Sequence, residues 1–238
     1  MLNILYLDDY LAIVNKPAGW LVHRTPLDKG ESRFVLQTLR DQIGQAVWPA
    51  HRLDKGTSGV LVFALSAEVA RTLGQAFESG EGLHKQYRAI VRGWPADELF
   101  IDHPLKRTPD DMRSQREEVQ SAQTRLRTLR RGELPVAQGA FPTLRWAEVA
   151  LQPLTGRRHQ LRRHAKHIAH PILGDATHGK GPLNHAVAGH LGLGRLWLHA
   201  CTLQLTHPVS GAALKVEAPM PAEWSVWPQH DNQALSVT

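Results

Sequence analysis

"CTLQLTHPVSGAALKVEAP", residues 201–219, alternates twice about one turn. Cys201, Leu203 and Leu205 point to one side before the Pro-Val-Ser-Gly segment, and Leu214, Val216 and Ala218 do so after it. Period-two patterning on both sides of a turn cluster predicts an antiparallel hairpin with one face on a core. The other end of the chain has the same grammar. "ILYLDDYLAIVNKPAGW" (4–20) reads as strand, Asp-Asp turn, strand and Pro-Ala-Gly turn. Between these ends, helical and strand patterns interleave irregularly. "VLQTLRDQIG" (35–44) puts Leu36, Leu39 and Ile43 on one helical face, with Gly44 to stop it. Ser66 caps "AEVARTLGQAFESG" (67–80), where Val69, Leu73, Ala76 and Phe77 share a face. "VLVFAL" (60–65), "KQYRAIVRG" (85–93) and "LRWAEVALQPLTG" (144–156) read as strands, and "HQLRRHAKHIAH" (159–170) as a helix carrying Leu161, Ala165 and Ile168. The fold class expected is α+β, with a mixed, mainly antiparallel sheet flanked by helices and loops, not a doubly wound parallel sheet. Residues 94–142 carry the least pattern, "RRGELPVAQGAFP" (130–142) reads as loop, and the last sixteen residues read as a frayed tail. The domain division expected is therefore 1–222, with 103–145 a basic, loop-rich part of it, followed by a tail over 223–238.

Charge narrows the partners. The 238 residues carry a formal net charge of +6 with 14 histidines uncounted. The excess is uneven. Residues 103–145 hold nine Lys/Arg, among them Arg113 and Arg116, against five acids that include Asp110, Asp111 and Glu117. "GRRHQLRRHAKH" (156–167) holds five Lys/Arg and no acid. A local field of one sign attracts polyanions, nucleic acid above all, whereas the first cluster also reads as a solvated face because acids interrupt it. No apolar run approaches eighteen residues and the N-terminus lacks a basic leader, so no membrane span or signal peptide is expected, and the cytoplasm is the default compartment. A single cysteine, Cys201, excludes an intramolecular disulfide and reads as a strand residue, not a nucleophile.

Two motifs fail on inspection. "GDATHGK" (174–180) meets the G-x-x-x-x-G-K half of a phosphate loop, but Gly181 stands where a hydroxyl is required and Pro182 where a helix should open. Histidines 159, 164, 167 and 170 sit among arginines that repel a cation, so no metal is expected.

"HRLDKGTSGV" (51–60) is different. An acid between Arg52 and Lys55 is ordinarily a surface salt bridge. Three features favour chemistry at Asp54. The following Thr57-Ser58-Gly59 reads as a tight turn that would fix the loop against strand 60–65. The flanking cations favour an ionised carboxylate. And no Ser-His-Asp spacing, second acid nearby for acid–base work or cofactor loop competes with it.

Here the chain resembles the RluA-type pseudouridine synthases. "HRLDKGTSG" is similar to their catalytic loop, "VNKPAGWLVH" (14–23) to their first motif, and "KQYRAIVRG" to the segment that supplies an active-site tyrosine. "LTGRRHQLRRH" with "HPILGD" resembles the third motif, and "LWLHACTLQLTHPVSG" the closing strand pair. The "GRRHQLRRH" double arginine and the "THG" after "ILGD" resemble more narrowly the branch acting on uridine-65 of tRNA, for which no additional RNA-binding module is expected before residue 1. The sequence departs from the common pattern at Gly56, Arg163 and His178.

The resemblance implies the pseudouridine synthase fold, an active-site cleft across the sheet, no cofactor, no metal, no obligate protein partner, and a structured RNA, tRNA, as substrate. It implies Asp54 as the reacting carboxylate, attacking the sugar or taking its C2′ proton. Tyr87 would stack on the base and assist removal of the C5 proton, and Arg162 would hold Asp54 charged and aimed. Arg52 would take the place of the flipped nucleotide, supported by His51. Arg157, Arg158 and Arg163 would contact RNA, and Leu198 would line the base pocket unless it is plain core. The same chemistry on 23S ribosomal RNA and a non-catalytic RNA-binding module are the alternatives.

Overall fold

The computed structural model describes residues 1–23, 30, 32–107 and 118–228. Arg113, Arg116 and the acids beside them therefore lie outside the described residues, as does the tail from 229. In chain order the elements are β1 (Asn3–Leu7), β2 (Leu11–Lys16), α1 (Val35–Ile43), β3 (Trp48–Pro49), β4 (Ser58–Ala64), α2 (Ala67–Ser79), β5 (His84–Arg92), β6 (Glu98–Asp102), β7 (Leu105–Lys106), β8 (Val119–Gln120), β9 (Gln123–Leu134), β10 (Leu144–Pro153), α3 (Gln160–His167), α4 (Gly181–Leu191), β11 (Leu198–Thr206) and β12 (Ala213–Glu217). The local signals behave as expected where they are strong. Ser66 Oγ accepts from Val69 N–H at 3.2 Å to start α2, and Gly44 and Gly80 close α1 and α2 at positive φ.

The main sheet runs β1-β2-β4-β11-β5-β10-β9-β6, with β3 beside β4 and β12 beside β11. Among the described residues its pairings are antiparallel except β4 with β11. That parallel seam spans only His199–Ser58 and Ala200–Gly59, after which β11 turns to pair with β12. Gly59 makes the seam possible. Its φ is +112°, and a Cβ there would stand 2.1 Å from the Ala200 carbonyl oxygen. The chain entering β4 is thereby drawn to the middle of the sheet, which is where the Asp54 loop has to be. Helix α3 packs Leu161 and Ala165 on Ala89, Val149, Leu151 and Leu198, while α1 and α2 cover the other half. No described helix is long and apolar enough to cross a membrane.

Five local expectations are corrected. The unpatterned basic stretch contains β9, twelve residues long, whose Thr124 and Leu126 face inward while Arg125 and Arg127 face solvent. The loop read over 130–142 begins only after Leu134. The turn at the catalytic loop spans Asp54–Thr57, closed by Thr57 N–H on the Asp54 carbonyl at 3.0 Å, while Ser58 and Gly59 already belong to β4. Helix α4 opens directly after the phosphate-loop decoy, because Pro182 occupies the first turn, where its missing N–H leaves no bond unmade. The start of the expected tail is also ordered. A 3-10 turn over Ala222–Val226 buries Trp224, and Trp227 follows, both against Trp197, with Trp227 also reaching Trp146.

Candidate active site

The loop before β4, strand β5, the end of β10 and the start of α3 enclose a cleft of about 420 Å³. Asp54, Tyr87, Arg162 and Leu198 all line it, as do His51, Arg52, Arg157 and Arg158. Arg163 does not; it donates to the carbonyl of Lys106 in β7 at 2.9 Å.

Asp54 is fixed from both ends. Its loop is held by Lys16, a fully buried lysine whose Nζ donates to the carbonyls of Pro17 (2.9 Å), Lys55 (3.1 Å) and Thr57 (2.7 Å). Gly19 N–H adds a bond to the Lys55 carbonyl at 2.8 Å, so the Pro-Ala-Gly turn of the first motif clamps the second. Burial draws the Lys16 ammonium down to about 7, against the opposing pull of the Asp54 charge. Gly56 lies where a Cβ would meet Leu196 Cβ at 2.8 Å, which accounts for glycine at that departure from the family pattern. Lys16→Met would take the Lys16 donor from the carbonyls of Pro17 and Thr57 and leave the Lys55 carbonyl with Gly19 N–H alone. We expect it to lower stability by about 2 kcal/mol in urea melts and single-turnover rate by about tenfold through a loosened Asp54.

The carboxylate end meets Arg162. Nη1 donates to Asp54 Oδ2 at 2.8 Å, while Nε and Nη2 donate to the two oxygens of Asp175 at 2.7 Å each. The guanidinium thus bridges an accessible carboxylate, 26% exposed, and a buried one, 0% exposed. Burial alone would lower the Arg162 pKa; the bonds to Asp175 and Asp54 outweigh it and raise it. Burial pushes the Asp175 carboxyl up, and Arg162 with the backbone N–H groups of His178 and Thr177 brings it below its usual value. Arg162 is a permanent cation held rigidly by Asp175, with one arm left for Asp54.

Tyr87 stands on β5 between Leu151 of β10 and Ala200 of β11. Burial first, then the Asp54 charge, raise its phenol far above the usual value, so it remains protonated at neutral pH. His51 accepts from Val62 N–H at 3.2 Å and stacks on Phe77 at 4.3 Å; burial and Lys85 bring it down to about 3. The ring is therefore a neutral strut under the loop that carries Arg52. Leu198 is at once core and cleft wall. Gln160 ties the start of α3 to β9 by donating to the Gln123 carbonyl and Thr124 Oγ1, and it accepts from Arg157 N–H.

Sequence reasoning passed over Lys16, Asp175, His159 and His178. Asp175 lies in the quoted "HPILGD", yet an isolated acid gives no sign of an arginine thirteen residues earlier. Among the described residues no cluster of His, Cys, Asp and Glu could hold a metal ion. His164, one of the histidines weighed for zinc, bonds Thr124 Oγ1 and the His103 carbonyl instead. The Cys201 thiol is raised to about 12, chiefly by burial, and stays protonated.

The family model for RNA pseudouridylate synthases matches residues 10–167. The tRNA pseudouridine synthase C of Vibrio cholerae is 50% identical over 228 residues, covering 94% of this chain and 93% of that one. Its counterpart from Pectobacterium carotovorum is also 50% identical over 228 residues, and the chain spans 60% of that relative's length. Among solved structures, human RNA Pseudouridylate Synthase Domain Containing 1 superposes with a TM-score of 0.74 at 27% identity, covering 99% of this chain and 91% of the other. Human RNA Pseudouridylate Synthase Domain Containing 4 gives 0.68 at 28%, over 94% and 90%.

Proposed function

Because this chain belongs to the RNA pseudouridylate synthase family, we propose that it isomerises uridine to pseudouridine in tRNA, at position 65, with Asp54 as the reacting carboxylate. The observation that carries the reading is the aimed charge: Asp54 Oδ2 on Arg162 at 2.8 Å, backed by buried Asp175, inside a cleft shared with Tyr87. The reaction breaks C1′–N1, turns the uracil and joins C1′ to C5, and it needs no redox or energy input. Asp54 either attacks C1′ or removes the C2′ proton; both roles require an ionised carboxylate held still. Tyr87, held as a neutral phenol, is assigned to stacking on the uracil and donating a hydrogen bond.

A uridine in a stem has to leave the stack, at a cost of about a few kcal/mol. Arg52, exposed at the cleft mouth, would fill its place, and Arg157 and Arg158 would neutralise neighbouring phosphates. Arg163, which does not line the cleft, would contact RNA beyond the target nucleotide. We place this chemistry in residues 1–222, acting in the cytoplasm without a protein partner. Identity with two enzymes named for tRNA supports tRNA over ribosomal RNA.

Two measurements test it. Tritium should be released from tRNA carrying [5-³H]uridine under single-turnover conditions; binding without release would leave only an RNA-binding module. In a deletion strain pseudouridine should vanish from tRNA position 65; loss of a 23S site with position 65 intact would overturn the substrate. Each of Arg157→Ala and Arg158→Ala should reduce the slope of log affinity against log salt by about 1, as read by filter binding across a salt series.

A further inference from the structure

Arg162 binds one oxygen of Asp54, and the other faces an imidazole. His159 Nε2 stands 3.6 Å from Asp54 Oδ1, and both side chains are about a quarter exposed, at 22% and 26%. His159 precedes α3 in the left-handed region, at φ +53°, a conformation uncommon for residues other than glycine. On its other side Nδ1 lies 3.0 Å from His178 Nε2, with the two rings edge to face. His178 is in turn placed by Asp175, whose Oδ1 accepts from the backbone N–H groups of Thr177 and His178 at 2.9 Å each. One buried carboxylate therefore anchors two arms that converge on Asp54: Arg162 directly, and His178 with His159 through a short loop.

We propose that His159 is a second positioning residue for Asp54, presenting an N–H from Nε2 to the carboxylate oxygen that Arg162 does not hold, with His178 fixing which ring nitrogen carries the proton. This rests on the reading of Asp54 as the reacting carboxylate.

The tautomer follows from electrostatics. One proton serves the His159–His178 contact. If His159 Nδ1 supplied it, the Nε2 lone pair would face a carboxylate. If His178 Nε2 supplies it, Nε2–H of His159 faces Asp54, and attraction replaces repulsion. The groups facing His159 are Asp54 from the loop before β4, Arg162 from α3, His178, and Arg158 beside it in sequence; burial and the cations lower its pKa while Asp54 opposes, so the ring is neutral at pH 7. At 3.6 Å the N–H acts through charge, and catalytic contacts of this kind tighten when substrate fills the cleft. With both oxygens addressed, the carboxylate loses its freedom to swing about the Arg162 bond.

Asparagine and glutamine separate this role from a structural one. Asn tolerates the left-handed backbone and places its amide where Nδ1 was, keeping a contact for His178 but leaving nothing at Nε2. Gln reaches the Nε2 position. His159→Asn should lower kcat for tRNA by about 20-fold with KM and tRNA Kd unchanged, and His159→Gln should recover to within about fivefold of the parent. His178→Phe, which leaves Asp54 and Arg162 untouched, should lower kcat by about fivefold with Kd unchanged. His159→Asn at parental kcat, Gln no better than Asn, or weaker tRNA binding with kcat intact would each overturn the proposal. Should His159→Asn fail to fold in a thermal melt, His178→Phe decides: reduced kcat supports it, parental kcat overturns it. Asp54→Asn measured alongside keeps the two readings apart, since turnover there would refute Asp54 itself whatever His159 does.

Discussion

Asp54→Asn is expected to lower single-turnover pseudouridine formation by at least about 10⁴-fold, because the amide can neither attack C1′ nor accept a proton, and Glu78, the other carboxylate lining the described cleft, lies on α2 and not on the Arg162 arm that aims Asp54. The substitution is nearly isosteric. Its carbonyl oxygen still accepts from Arg162, and Arg162 retains the bidentate Asp175, so no buried charge is stranded. Stability should therefore change by less than about 1 kcal/mol, because the group removed is partly exposed and the pair it leaves is worth little. Affinity for tRNA should remain within about tenfold, since phosphate neutralisation lies with the cations. Tritium release, filter binding and a thermal melt on one preparation read all three. The pattern required is lost turnover with intact folding and binding. Turnover above about 1% of the parent would remove Asp54 from the chemistry, and a collapsed melting transition would restore the plain salt-bridge reading of "HRLDKGTSGV".

The sequence carried the fold wherever short-range periodicity and punctuation agree. The hairpins at 4–16 and 198–217, helix α2 with its Ser66 cap and Gly80 stop, and strand β5 all depend on neighbours within a few residues. β9 was hidden although Thr124 and Leu126 alternate with arginines, because its four arginines look like a solvated surface and a bulge opposite Glu148–Val149 breaks the period. α4 offered only Leu183 and Val187 as a buried stripe, with a proline at its start. Trp224 and Trp227 are core only because Trp146 and Trp197, far away in the chain, stand beneath them. The site divides in the same way. That Asp54 meets Arg162 across 108 residues was supplied by the resemblance, not by any spacing in the chain. Asp175, Lys16, His159 and His178 matter through contacts that the topology creates, above all the Gly59 seam that brings the catalytic loop to mid-sheet.

The buried half of that site gives the largest effect on stability. Arg162→Met keeps the length of the side chain and leaves Asp175 enclosed without its cation. An uncompensated buried carboxylate costs about 3–5 kcal/mol, and for a chain of this size that corresponds to a fall in Tm of about 10 °C. Turnover should drop by about 10²–10³-fold as well, since Asp54 loses the bond that aims it. The double variant Arg162→Met with Asp175→Asn separates the two losses. Removing the stranded charge should return most of the lost Tm, because the amide oxygen still accepts from the N–H groups of Thr177 and His178, while turnover should remain as low as in Arg162→Met. Acid gives an independent check on the sign. In the parent the Asp175 carboxyl lies below its usual value of 3.8, so its contribution is complete above about pH 4 and is lost as pH falls through the folded-state value. In Arg162→Met burial is opposed only by the backbone N–H groups of His178 and Thr177 and raises that pKa, so the carboxyl protonates at a higher pH and the stranded charge is relieved there. The gap in Tm between variant and parent should therefore narrow as pH falls from 7 toward 4. A gap that holds constant with pH, together with a double variant as unstable as Arg162→Met, would mean that Arg162 stabilises the fold by packing and not by holding Asp175 charged.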